Sequence, residues 1–258
     1  MFVDSHAHLT GHTVTDHVVE MLERAKQHQV KAIVNVCTDQ ASLEKGLSLV
    51  KRHRWVFNAA AATPHDVEKI GDSFFPIVAR FAREGGLIAI GETGLDYHYE
   101  HSPKDLQKEH LARYLELAQE TKLPLIFHCR EAFQDLFEMT EGKEIAAVLH
   151  CFTGTMEEAQ KCVARGWMVS LSGIVTFKNS LALREVAKYI PLNQLLIETD
   201  TPYLAPLSKR GKMNEPGYVV ETAEVIAQVK GMTAEELGNA TARNAAQFFS
   251  FPKHIIDV

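Results

Sequence analysis

Six side chains of metal-ligating type stand at the ends of strand-like apolar runs: His6, His8, Glu92, His128, His150 and Asp200. The sharpest run is Phe2-Val3-Asp4-Ser5-His6-Ala7-His8. Residues two apart in a strand project to the same face, so His6 and His8 point one way and Ala7 the other. A metal ion can take both imidazoles at once. The pattern recurs downstream. Leu87-Ile88-Ala89-Ile90-Gly91-Glu92 closes on a carboxylate, Pro124 to His128 and Ala146 to His150 close on histidine, and Leu195-Leu196-Ile197-Glu198-Thr199-Asp200 closes on a carboxylate. Burying a carboxylate at the end of such a run is expensive unless it is paired or binds a metal. Four imidazoles and two carboxylates exceed what one zinc ion ordinarily takes. Two ions sharing Glu92 as a bridge would use them all. Such a pair activates a water and stabilises both the attacking and the leaving oxygen of an in-line displacement, so no serine or cysteine nucleophile is required. The mixed nitrogen and oxygen set suits Zn, Mn or Fe, and Mg less readily.

Only a fold that returns every strand to one rim can gather residues scattered over most of the chain. Strand signals at 2 to 8, 31 to 38, 56 to 63, 87 to 92, 123 to 130, 146 to 152, 167 to 172 and 194 to 200 alternate with amphipathic stretches such as 14 to 28, 40 to 53, 102 to 121 and 155 to 165. Ser102 before Pro103 reads as a helix start, and Thr155 with Glu158, like Thr233 with Glu236, has capping-box spacing. Eight alternating units predict a (β/α)8 TIM barrel with an additional C-terminal helix near 233 to 249. Ligands at the C-terminal ends of its strands would share one active-site face. A doubly wound open sheet is the alternative, but it offers its ligands at one crevice.

With 258 residues, 46% hydrophobic and 23% charged, the chain suits a single hydrolase domain over residues 1 to 258. It starts directly on a strand, without a signal-like segment or an apolar run of membrane-spanning length, so a cytoplasmic protein with no membrane partner is expected. Cys37, Cys129, Cys151 and Cys162 show no CxxC spacing, and reduced thiols are expected. A net charge of −6 argues against coating duplex nucleic acid through a broad basic face, yet leaves room for a local grip on a terminus. Nothing requires more than a monomer.

The fuller motifs resemble those of a known family. Asp4-Ser5-His6-Ala7-His8, Gly91-Glu92-Thr93-Gly94-Leu95-Asp96, His128-Cys129-Arg130, His150-Cys151-Phe152-Thr153-Gly154, Glu198-Thr199-Asp200-Thr201-Pro202-Tyr203-Leu204 and Arg210-Gly211-Lys212-Met213-Asn214-Glu215-Pro216 are similar, in order and spacing, to the signature set of the TatD-type metal-dependent deoxyribonucleases. The likeness runs from Phe2 to about Phe249. It implies a barrel of the amidohydrolase superfamily holding two divalent ions, with His6, His8, Glu92 and Asp200 on one and Glu92, His128 and His150 on the other. It also implies a nuclease that removes nucleotides from the 3′ end of DNA or processes damaged DNA, so that DNA ends or single strands would be the partner. Thr10, Gln134 and the stretch Thr63-Pro64-His65 depart from the family pattern. His65 is carried as a candidate substrate contact beside the histidine that Thr63 replaces.

Substrate grip also has a basis in the residues themselves. Arg130 lies two residues past His128, on the same strand face, and can pair a phosphate in bidentate fashion. Lys209, Arg210 and Lys212 flank Gly211 after the eighth strand, where barrels often bind phosphate. Asp200 is a candidate base for the attacking water, alongside Glu92 as the bridge. Asp96, Tyr97 and Tyr99 are read as loop residues that could shape the pocket or stack a base. The remaining histidines, His12, His17, His28, His53, His98, His101, His110 and His254, are read as surface residues. Two other readings stay open. One is hydrolysis of a different bond on the same centre, such as a D-aminoacyl-tRNA ester or a small-molecule ester. The other is a non-catalytic, metal-bound nucleic-acid-binding protein.

Overall fold

The computed structural model describes residues 1 to 11 and 13 to 256. Eight strands, β1 (Phe2–Ala7), β2 (Val30–Cys37), β3 (Val56–Ala60), β4 (Ala89–Asp96), β5 (Leu125–Arg130), β6 (Ala147–Leu149), β7 (Met168–Leu171) and β8 (Leu195–Ile197), pair in parallel in chain order. Between them run α1 (Val18–Gln27), α2 (Gln40–Arg52), α3 (Val67–Ile70), α4 (Phe75–Arg83), α5 (Lys104–Thr121), α6 (Phe133–Met139), α7 (Met156–Ala164) and α8 (Leu181–Tyr189), and α9 (Val219–Lys230) and α10 (Ala234–Phe248) follow β8. This is the (β/α)8 barrel, with α10 as its extra C-terminal helix. The segment just past β8 draws the ring together against β1. Asp200 N–H donates to His6 O at 2.9 Å and His8 N–H to Thr201 O at 2.7 Å. Deeper in the ring, the Thr199 amide and hydroxyl donate to the Asp4 carboxylate at 2.9 and 2.6 Å.

The strands read as nearly continuous apolar runs because both their faces are covered. Val3, Val34, Ile126, Val148 and Leu196 fill the barrel, and Ala242, Ala245, Phe249 and Phe251 seal one end of that core. Phe251 stacks on Phe57 with ring centres 4.5 Å apart. Outward residues such as Ile33, Ile90 and Phe127 pack against Leu22, Leu43, Leu111 and Tyr114 of the helices. With the bottom closed by the C-terminal segment, the open end is the one where the strands finish. No helix among the described residues is long and apolar enough to cross a membrane. The four cysteines are free thiols.

The capping boxes at Thr155 and Thr233 form as their spacing predicts, and a further one at Asp39 and Ser42 starts α2. Ser102 does not cap α5. Its hydroxyl accepts from Glu68 N at 3.2 Å and donates to His65 O at 2.9 Å, so it ties down the loop after β3. His110 is a correction of the surface reading. It is buried on the face of α5 that also carries Gln107, Leu111 and Tyr114, a helical stripe directed at the core. His17, His28, His98, His101 and His254 are exposed and His53 is half-buried, while His12 lies outside the described residues.

β4 continues past Glu92, where the apolar run stops, to Asp96. Gly91 pairs with Ile126 and Thr93 with Phe127, which leaves Glu92 as the extra residue of a bulge. A bulge bends its strand and re-aims a side chain, and here the re-aimed residue is a carboxylate. Close contact with β5 makes the geometry depend on glycine. A Cβ on Gly91 would sit 2.5 Å from Ile126 Cβ, and one on Gly94, whose φ is +141°, would sit 2.0 Å from the His128 carbonyl oxygen. The expected outcome for Gly94→Ala is therefore forced separation of β4 and β5, destabilising the protein by at least about 2 kcal/mol. In a chain of this size, thermal unfolding should then come roughly 4 to 8 °C lower; an unchanged midpoint would show that the contact is not constraining.

Candidate metal centre

The six ligand-type side chains converge at the strand ends around Glu92. One carboxylate oxygen, Oε2, lies 3.5 Å from His6 Nε2 and 3.5 Å from His8 Nε2. Those two nitrogens are 3.2 Å apart, and Asp200 Oδ1 stands 3.8 and 3.5 Å from them. The other oxygen, Oε1, lies 3.0 Å from both His128 Nδ1 and His150 Nε2, which are 3.4 Å from each other. Glu92 thus faces two separate imidazole pairs with its two oxygens. Asp200 reaches its place through a left-handed backbone, φ +61°, that turns the chain just beyond β8. Asp is one of the few non-glycine residues to which that region is accessible.

What the histidines do with their far nitrogens decides what the near ones present. His8 Nδ1–H donates to the Val36 carbonyl at 3.2 Å, an acceptor that admits no other arrangement. His128 Nε2–H donates to Asp96 Oδ2 at 2.8 Å and His150 Nδ1–H to Glu198 Oε1 at 3.2 Å. In their neutral forms these rings then turn bare lone pairs toward one another and toward the Glu92 and Asp200 oxygens. Such a convergence of lone pairs is repulsive unless cations occupy it, and partners of this kind are what fix the tautomer of metal-binding histidines. The donor set therefore fits divalent ions.

Charge in the cluster is strongly coupled. Burial opposes ionisation of Glu92, but His150, His128 and His6 around it outweigh burial and hold its carboxyl well below the usual range. Burial likewise opposes charging His150, yet Glu92 and Glu198 raise it well above an ordinary imidazole. Asp96 resists burial through the His128 hydrogen bond and the Tyr99 amide, and falls to about 2.

Two of these groups are not expected from the sequence as parts of the centre. Asp96, expected in a loop, ends β4 and orients His128, while Glu198, seen only as part of an apolar run, orients His150 and accepts the Cys151 amide at 2.7 Å. Spacing offers a signal for both: Asp96 lies four residues past Glu92 on a strand, and Glu198 is two before Asp200. The ring of Tyr97 is committed elsewhere, with its hydroxyl donating to Asp135.

Above the ligands opens a cavity of about 670 Å³. Arg130 and His65 line it, as do Tyr99, Phe177 and Tyr203. Arg130 has no carboxylate partner among the described residues and rests instead over the Tyr99 ring, 4.7 Å from its centre. Tyr99 also stacks on His101 at 5.4 Å, so its ring supports Arg130 and is not free for a base. Tyr203, 60% exposed, meets His8 edge-on at 6.0 Å and leaves its ring open to the cavity. His65 Nε2 lies 3.6 Å from Asp96 Oδ2. The basic loop falls outside the lining: Lys209 sits over Tyr218, Lys212 is exposed, and only Arg210, over Phe177 at 5.2 Å, approaches the rim. Of the positions that depart from the family pattern, Thr63 borders the cavity, Thr10 is buried against Asn35, and Gln134 is exposed on α6.

Comparison with known proteins identifies the family. Residues 3 to 250 match the family model described as TatD related DNase. YabD of Bacillus subtilis (strain 168), named an uncharacterized metal-dependent hydrolase, is 39% identical over 252 residues, covering 96% of this chain and 99% of that protein. The protein named 3'-5' ssDNA/RNA exonuclease TatD from Erwinia tasmaniensis is 32% identical over 240 residues, 90% of this chain and 93% of that one. Among solved structures, YJJV, a TatD homologue from Escherichia coli K12, superposes with a TM-score of 0.90 at 25% identity, covering 97% of this chain and 98% of that one. The chain belongs to the TatD-related DNase family and is a metal-dependent hydrolase.

Proposed function

We propose that the protein is a two-metal phosphodiesterase that shortens single-stranded nucleic acid from its 3′ end. The observation that carries the reading is the division of Glu92, with Oε2 toward His6, His8 and Asp200 and Oε1 toward His128 and His150. His6, His8, Glu92 and Asp200 would hold one divalent ion and Glu92, His128 and His150 the other, with Zn, Mn, Fe or Mg compatible with these donors. The ions would supply Lewis acidity, neutralising charge on the phosphate and acidifying the attacking water. Asp200, at the edge of the cluster, orients that water and accepts its proton. Arg130, held over Tyr99 without a carboxylate partner, takes a non-bridging phosphate oxygen. The leaving 3′ oxygen takes its proton from solvent. His65 lines the cavity beside Asp96 and contacts the substrate flank, and the open ring of Tyr203 offers a face to a base. The substrate class and cleavage direction draw support from the name of the Erwinia relative.

The reading is tested by stripping the protein of metal and following cleavage of end-labelled single-stranded DNA and RNA after Mg, Mn or Zn is restored. Shortening from the 3′ end should return with metal and be absent in Glu92→Ala, which should also lose bound ions. Intact nucleic acid under every metal, with ions bound and the barrel folded, would redirect the assignment to acyl-ester hydrolysis. Replacing Arg130 by alanine should cost one charge-assisted phosphate contact, about 1.5 to 3 kcal/mol, or roughly ten- to a hundredfold in kcat/KM. The triple substitution Lys209→Ala, Arg210→Ala and Lys212→Ala should change it less; the reverse ranking would place the phosphate grip in the basic loop. Tyr203→Ala should lower kcat/KM on oligonucleotides by about one order of magnitude or more, as loss of a stacked base does. An oligonucleotide with abasic sites at its 3′ end should not sense this change, and equal losses on both substrates would remove the stacking role.

A further inference from the structure

Two of the ligand rings, His6 and His150, stack nearly parallel, with centres 3.9 Å apart and planes at 13°. Each turns Nε2 to a different oxygen of Glu92, His6 to Oε2 and His150 to Oε1. Rings that face a carboxylate with Nε2 turn their Nδ1 atoms away from it. Glu198 stands on the Nδ1 side of His150 with no solvent exposure. Its Oε1 is taken by His150 Nδ1–H and by the Cys151 amide. Its Oε2 has no protein partner, and neither does His6 Nδ1, although both atoms are buried. His6, His150 and Glu198 nevertheless offer nitrogen and oxygen atoms within 4.8 Å of one another. One orphan is an acceptor and the other, once His6 Nε2 serves as a ligand, is an N–H donor. Leaving both unmet would carry the full desolvation penalty of two buried polar atoms.

We propose that Glu198 is a shared positioning carboxylate, fixing His150 directly through Oε1 and His6 through one ordered water between Oε2 and His6 Nδ1–H. The inference rests on the metal-centre reading above. A single water taking two hydrogen bonds of about 2.8 Å spans roughly 4.5 Å and can satisfy an acceptor and a donor that do not touch. The effect is to hold His6 in the tautomer that bares Nε2 to the His8 and Asp200 side of Glu92. Because His6 and His150 belong to different ligand sets, one carboxylate then orients a ligand of each. Asp96 differs in this respect, since of the four ligand histidines it bonds His128 alone. Neither carboxylate touches substrate, so each acts only through the rings it orients.

The discriminating variant is Glu198→Gln. Glutamine keeps an oxygen for His150 and Cys151 but replaces Oε2 with an N–H₂ donor, so the bridging water must accept from both sides and the negative charge that holds the proton on His6 Nδ1 is lost. Divalent-ion affinity is read by competition of metal-free protein with a chromogenic chelator, using Mn and Zn, in wild type and in His128→Ala. Wild type should take two ions and His128→Ala one, on the His6 set. Adding Glu198→Gln to His128→Ala should weaken that one ion about 10- to 100-fold, the size typical of lost outer-shell partners. Unchanged affinity would mean that Glu198 serves His150 only and would overturn the proposal. Wild type that takes no ions, or His128→Ala that takes none, would instead break the assignment of two ligand sets. Thermal unfolding of each metal-free variant separates misfolding from lost ligation. Should the variant fail to fold, a crystal structure of the metal-loaded wild type decides. A water or a direct bond joining Glu198 to His6 Nδ1 supports the proposal, and neither being present rejects it.

Discussion

One carboxylate facing two imidazole pairs is the constraint on which the rest of the centre depends. For Glu92 to present its two oxygens in different directions, it must enter the ring of strand ends nearly head-on, and a regular strand does not deliver that. The bulge in β4 does, and it is possible because β4 lies against β5 at Gly91 and Gly94 without Cβ atoms in the way. The same contact brings Asp96 beside His128, so a single stretch of backbone supplies both the shared carboxylate and the group that orients one of its partners.

The barrel gathers the remaining ligands by the way it closes. His6 and Asp200 are joined through backbone, amide to carbonyl, at the seam between β1 and the segment after β8. A break in that seam would therefore separate His6 from Asp200, ligands of the same set, as well as open the sheet. Electrostatics points the same way. Glu92, Asp96, Glu198 and Asp200 crowd four imidazoles inside a largely buried shell, where unpaired charge is costly. With all four carboxylates ionised, two divalent cations bring the cluster to formal neutrality. The proposed ion count is the one that removes the electrostatic cost of the site.

Much of this is legible in the sequence because barrel strands carry an unusually plain signal. Runs buried on both faces are apolar throughout, so a His or Glu that ends one stands out, and His6, His8, His128, His150 and Asp200 all occur at such ends. The (β/α)8 rhythm follows from the same runs. Where local pattern misleads, three-dimensional constraints prevail over it. Glu92 looks like a strand terminus because apolar residues stop there, whereas pairing with β5 carries β4 on through polar Thr93 and Asp96. Ser102 looks like a cap because Pro103 follows it, yet the loop after β3 recruits its hydroxyl. Glu198 and Asp96 are passed over although they stand two and four residues from Asp200 and Glu92, because that spacing marks a place near the centre without naming a partner. It takes the neighbouring strand to show which imidazole each one meets.

On the proposed reading, substrate recognition poses a sharper physical problem, since a protein of net charge −6 would have to hold a polyanion. A broad basic face is not the means, and the lysines after β8 do not line the cavity. Arg130 is disposed differently. An arginine already paired with a carboxylate would have to surrender that bond to bind phosphate, and the exchange would return little. Packed over Tyr99, whose ring also stacks on His101, it is held in place by a contact that leaves its N–H groups available to an incoming oxyanion. Few phosphates need be neutralised in such a grip. Binding concentrated at one phosphate and a metal pair carries a shallower salt dependence than binding along a strand, because fewer counterions are released. An acidic surface is then compatible with a nucleic-acid substrate: repulsion over the bulk of the protein discourages engagement along the length of a strand, and the cluster at the barrel mouth favours its end.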